Sequence, residues 1–190
     1  MTARGAYTKG IAKREEILTV ALEVIATHGY RRASVREIAD AVGLSQAGLL
    51  HYFDSKDELF TAVLRKRDEV DAALVDGDPI AGLLRIIDHN AQVPGLVQLY
   101  AQLSVAATDP SHVAHKFFVE RYSWMRDSFA SALQTAQDDG SFRSDFHPDR
   151  MAAFLIAAAD GLQTQFLLDP SIDMAAEFRA ILADLRHGES

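Results

Sequence analysis

VREIADAVGLSQAGLLHYFDSKDEL, residues 35–59, holds two short helical periods between capping signals. Ser34 precedes it as an N-cap with Glu37 three residues on, a capping box that predicts a helix over Val35–Val42. Gly43 ends that helix, Ser45 caps a second one running to about Phe53, and Ser55 with Glu58 forms another capping box. The helix that follows is predicted to run toward Val75. Helices of two turns do not hold themselves together and need tertiary packing. Small Ala39 faces the turn, and Ile38, Val42, Leu44, Leu49 and Tyr52 fall where each short helix buries a face against the other. That spacing is a helix-turn-helix, whose second helix enters the DNA major groove with its N-terminal residues at base edges.

The rest of the chain follows the same 3.6-residue period, and period-two alternation is nowhere sustained. Before the short pair, residues 8–27 form a helix with Ile11, Ile17, Leu18, Ala21, Leu22 and Ile25 as its buried stripe, ended by Gly29, with Arg31 and Arg32 in the loop. After it, Pro79, Pro94, Pro110 and Pro148 each open a helix, Asp139–Gly140 closes one, and a last helix spans about Ile172–Arg186. The expected fold is all-α with about nine helices.

Composition narrows the partners. Hydrophobic residues make up 48% and charged residues 24%, ordinary for a globular chain, and the absence of cysteine removes disulfides and thiolate chemistry. The N-terminus has no apolar signal core and no window of about 18 apolar residues stands out, so the expectation is a cytoplasmic protein with no membrane partner. Net charge is −8, yet residues 1–67 hold eleven Lys/Arg against eight Asp/Glu, and the remainder eight against nineteen. A basic module joined to an acidic one hints at polyanion binding.

On the second short helix, Leu49 marks the core direction, while Ala47, Gly48, Leu50 and His51 point outward and Gln46 borders the core face. Gln46 suits bidentate contact with an adenine, Leu50 suits a thymine methyl, and small Ala47 and Gly48 admit close backbone approach. His51, the Tyr52 hydroxyl and Lys56 suit phosphate oxygens.

From Lys9 to Arg67 the chain resembles the DNA-binding domain of the TetR family of transcriptional repressors, most specifically in HYF followed by SKDEL. The resemblance implies a three-helix DNA-binding domain at residues 1–60. It also implies a helical ligand-binding and dimerisation domain at 61–190, where residues 94–170 look like the betaine-inhibited repressor type. It assigns Ser34 and Arg36 to the DNA backbone, Gln46, Ala47 and Gly48 to the groove, and His51, Tyr52 and Lys56 to phosphates; Ser45 and Leu50 complete the expected DNA-contact set. Members often carry a basic residue at position 46, glycine at 47, threonine at 48 and an aromatic at 50, so this chain departs from them at its reading face.

The implied partners are a palindromic double-stranded operator, a second copy and a small-molecule effector, with no cofactor. For the dimer, MAAFLIAAADGLQTQFLL and EFRAILADL offer Ala153, Ala157, Asp160, Gly161, Phe178 and Leu182; Asp160 is either paired across the interface, the favoured reading because Gly161 marks close packing, or a ligand anchor. For the effector, the candidates are His89, Tyr100, Gln102, Trp124, Met125, Gln163 and Phe166. His112 and His115 lack a carboxylate at ligand spacing, so no metal site is expected. No G-x-S-x-G, HExxH or phosphate-loop pattern occurs, so no catalytic residue is assigned. A helical binding protein independent of DNA is the competing expectation.

Overall fold

The computed structural model describes residues 3–186 apart from 31 and 76, with side chains from residue 8 onward. Arg31, placed in a loop from sequence, lies outside the described residues. Nine α-helices are described: α1 (Ala3–His28), α2 (Val35–Ala41), α3 (Gln46–Leu50), α4 (Lys56–Asp71), α5 (Pro79–Asn90), α6 (Pro94–Ala106), α7 (His115–Asp138), α8 (Pro148–Leu168) and α9 (Met174–Asp184). A 3-10 turn, Ala72–Leu74, follows α4, and an isolated bridge pairs Phe142 with Arg186. Proline opens α5, α6 and α8, where its missing N–H costs nothing.

By packing, the chain forms two units. The first comprises Met1–Val70 with Val93–His115, the second Asp71–Gln92 with Lys116–Ser190. The boundary drawn at residue 60 from sequence falls inside α4.

In the first unit, α1 packs on both α2 and α6, and α2 packs on α3. Ile17, Ala21, Ile25, Ile38, Leu49 and Phe53 are buried there. Ile11, expected in the same stripe, is half exposed. Gly43 turns the chain from α2 toward α3 at φ +69°, a left-handed conformation that costs a side-chain residue about 1–2 kcal/mol. The Leu44 N–H then donates to the Ala39 carbonyl at 2.8 Å, which satisfies an orphan acceptor at the end of α2. Gly95 at the start of α6 sits directly on the end of α1: a Cβ there would lie 2.2 Å from the Ile25 carbonyl oxygen.

In the second unit, Leu83, Ile87, Met125, Phe129, Leu133, Leu155, Ile156, Phe166, Phe178 and Leu182 belong to one core. By length and composition alone α8 is apolar enough to cross a membrane, with a mean hydropathy of 1.4, contrary to the expectation from sequence. Its Ala152, Leu155, Ile156, Ala159 and Phe166 face the core.

Among the boundaries that move from their expected places are the start of α7 and the end of α3. Asp109 accepts from the backbone and hydroxyl of Ser111, so Pro110 sits in a turn and α7 starts only at His115. The same Asp-x-Ser closure recurs at Asp139–Ser141 after α7 and at Asp169–Ser171 after α8. At the end of α3 the chain leaves the helix at His51, not Phe53, and a guanidinium from α1 takes the Tyr52 carbonyl.

Candidate nucleic-acid interface and ligand cleft

The short helices begin as their caps dictate. Ser34 Oγ accepts from the Glu37 N–H and Ser45 Oγ from the Gly48 N–H, both at 3.0 Å. The first capping box is only half closed, because the Glu37 carboxylate turns to His28 Nδ1 at 2.5 Å. At α4, Ser55 Oγ accepts from the Glu58 N–H, and the Glu58 carboxylate accepts from the Asp54 N–H.

None of the ten DNA-contact candidates is buried. Ser34, Arg36, Ser45, Gln46, Ala47, His51 and Lys56 are exposed, and Gly48, Leu50 and Tyr52 are half-buried. Gly48 does not face outward as its wheel position suggests: a Cβ there would meet Ser45 Oγ at 3.2 Å and the Leu44 side chain. Its smallness serves the cap. Lys56 Nζ lies 5.3 Å from the Phe60 ring centre, a cation–π seat that leaves the ammonium in solvent.

Several charges counted as polyanion-seeking are used inside the fold. Lys13 Nζ donates to the Val42 carbonyl, Arg67 is buried and donates to the Leu96 carbonyl, and Lys66 is tied to Glu15 and Glu69. These hydrogen bonds to Glu15 and Glu69 hold the Lys66 ammonium above its ordinary pKa. The basic face is therefore smaller than the residue count implies.

The second unit revises the other candidates. Phe178 and Leu182 are 0% and 5% exposed within the single chain, so they have no surface left for a second copy. The exposed residues of α9 are instead Ala176, Ala180 and Ala183, small residues that hydrophobicity alone passes over, with Glu177, Arg179 and Asp184 beside them. Asp160 accepts a 2.6 Å hydrogen bond from the Tyr122 hydroxyl of its own chain. On α8 the exposed row is Phe154 (56%), Ala157, Thr164, Gln165 and Leu168 (82%), with half-buried Gly161 having nothing within 4 Å of a built Cβ and half-buried Ala153 beside it.

The effector candidates divide between the two units. Tyr100, buried, and Gln102, exposed, belong to the first unit, and the other five to the second. There Met125 and Phe166 are core, Gln163 is half-buried, and His89 and Trp124 are exposed. An open cleft of about 750 Å³ in that unit is lined by none of them. Its walls are Ile80 and Leu84 of α5, Ser128, Ser131 and Thr135 of α7, and Leu182 of α9. Serine and threonine on a helix read as surface, so nothing local announced this hollow. His112 and His115 have protein partners: His112 Nε2 lies 3.5 Å from the Asp57 carboxylate and His115 Nδ1 2.8 Å from the Ala107 carbonyl. Among the described residues no cluster of metal-ligating side chains occurs.

Residues 17–63 match the family of bacterial regulatory proteins called tetR, and residues 87–187, more than half the chain, match the C-terminal part of BetI-type transcriptional repressors. The chain belongs to the TetR family. It is a helix-turn-helix transcriptional regulator and not an enzyme. Among similar TetR-family proteins, the transcriptional repressor KstR2 of Rhodococcus jostii is 29% identical over 158 residues, covering 75% of this chain and 74% of its own. The repressor AcnR of Corynebacterium diphtheriae is 28% identical over 150 residues, 78% of each chain. Among solved structures, a transcriptional regulator from Saccharomonospora viridis in complex with choline is 26% identical, with a TM-score of 0.69 over 90% of this chain and 93% of that one.

Proposed function

We propose that this TetR-family regulator is a cytoplasmic, homodimeric repressor that binds a palindromic operator and leaves it when a small-molecule effector binds. The observation that carries the DNA half is that Arg36, Gln46, His51 and Lys56 are all exposed around the short capped pair α2 and α3 and the start of α4. Gln46 reads a base edge, Leu50 meets a thymine methyl, and Arg36, Tyr52 and Lys56 hold phosphates. With so few hydrogen-bonding groups on α3, DNA shape carries a large share of specificity.

Dimerisation is supported by the apolar row on α8, which a single chain leaves in water. Two-fold pairing through α8 and the alanine row of α9 gives two recognition helices, which must stand about 34–36 Å apart to meet one turn of DNA. The effector half is supported by the choline complex of the similar S. viridis regulator and by the cleft of about 750 Å³, a volume ordinary for small-molecule sites. Titrating a labelled duplex from the region upstream of the protein's own coding sequence, at several salt concentrations, tests the reading. A salt-dependent, sequence-specific complex of one dimer per duplex is expected; equal affinity for a scrambled duplex would refute it.

A further inference from the structure

α2 and α3 are too short to fix their own orientation, and each ends with carbonyls that its own turn cannot satisfy. Two adjacent side chains of α1 reach those ends. Lys13 Nζ donates to the carbonyl of Val42, the residue that caps α2, at 3.0 Å. Arg14 Nη1 donates to the carbonyl of Tyr52, just past the end of α3, at 2.5 Å. The same guanidinium lies 4.1 Å from the centre of the buried Phe53 ring, and its Nη2 reaches Glu58 Oε1 at 3.1 Å. Glu58 in turn holds the Asp54 N–H, so one planar cation ties the end of the recognition helix, the loop after it and the start of α4 to α1. A cation near the C-terminal end of a helix also complements its dipole.

We propose that Arg14, supported by Lys13, is a positioning residue for DNA recognition: it sets the orientation in which α3 presents Gln46 and Leu50, without itself touching DNA. This rests on the reading of α3 as the helix that enters the groove. Only a planar fork spans both the Tyr52 carbonyl and Glu58 while stacked on Phe53, so lysine, with one compact ammonium, does not replace it.

The test uses the full-length protein and a duplex selected by the wild-type chain from a randomised library, with a scrambled duplex as control. Arg14→Gln and Arg14→Lys are each expected to lower affinity for the selected duplex about tenfold. Affinity for the scrambled duplex should stay within about twofold, and the slope of log affinity against log salt unchanged, because no phosphate contact is lost. Glu58→Gln, which leaves the Arg14 charge in place, should shift the selected-to-scrambled ratio in the same direction. If Arg14→Lys binds like wild type while Arg14→Gln reduces the salt slope by about one, Arg14 is a phosphate contact and the proposal fails. If the variants melt earlier but keep the wild-type affinity ratio, the role is stability alone and the proposal fails. A wild-type chain that selects no duplex overturns both this proposal and the reading beneath it.

Discussion

Gln46 and Lys56 stand ten positions apart on consecutive helices, and they should fail differently. A glutamine at a base edge discriminates, and a good bidentate pair is worth about 1–3 kcal/mol against the wrong base. Gln46→Ala should therefore relax preference at a single base pair of the operator, as read by affinities for single-substitution duplexes. An ammonium on phosphate does not discriminate, so Lys56→Ala should weaken all duplexes alike and reduce the salt slope by about one. Gly95 gives a stability counterpart away from DNA. Its missing Cβ would lie 2.2 Å from the Ile25 carbonyl and 2.8 Å from Gly29 Cα, both backbone atoms that cannot rotate aside. Gly95→Ala should cost about 1–3 kcal/mol in urea unfolding. The caps Ser34 and Ser45 and the bend at Gly43 were legible in sequence because each acts within three or four residues. The partners of Arg14 lie 38 and 44 residues away, and Tyr122 lies 38 residues from Asp160; no local pattern encodes such pairings.

At the scale of elements, three of the inter-helix turns share one closure, in which an aspartate carboxylate accepts from the serine two residues on. Hydrogen bonds from Ser111, Ser141 and Ser171 hold Asp109, Asp139 and Asp169 below the ordinary carboxylate pKa of 3.8. A carboxylate whose pKa falls on folding adds stability above its unfolded pKa, and that contribution disappears as pH drops through the lower folded value. Replacing all three serines by alanine should thus reduce stability at neutral pH, with the wild-type and variant curves meeting once the aspartates are protonated in both; denaturant unfolding across pH measures it. The helices themselves were largely legible, down to the prolines that open three of them. Which faces they bury was less so. Phe178 and Leu182 look like interface residues on a lone amphipathic helix, but they complete the core of their own chain. The exposed row on α8 carries the corresponding prediction: Phe154→Glu places a charge within the proposed interface, so sedimentation should find monomers and operator affinity should collapse with them.

At the scale of the whole molecule, a basic N-terminal stretch precedes an acidic remainder, and the chain as a whole has a pI near 5.3. Binding to a polyanion is then carried by local charge against the net field, so operator affinity should fall steeply with salt although the protein is an anion at neutral pH. The proposed effector response makes a thermodynamic demand. A ligand that favours the released state must raise the melting temperature of the free protein and lower operator affinity, and DNA must in turn weaken the ligand by the same factor. Titration of each partner in the presence of the other measures both factors, and unequal factors would refute the coupling. One contact bears on how displacement travels within the first unit. Where α6 meets α1 at Gly95 no side chain intervenes, and two main chains touch as metal meets metal in an unlubricated bearing. Side chains can yield by changing rotamer; a backbone-on-backbone seat has no such play, so a shift of α6 bears directly on the end of α1, the helix that carries Lys13 and Arg14.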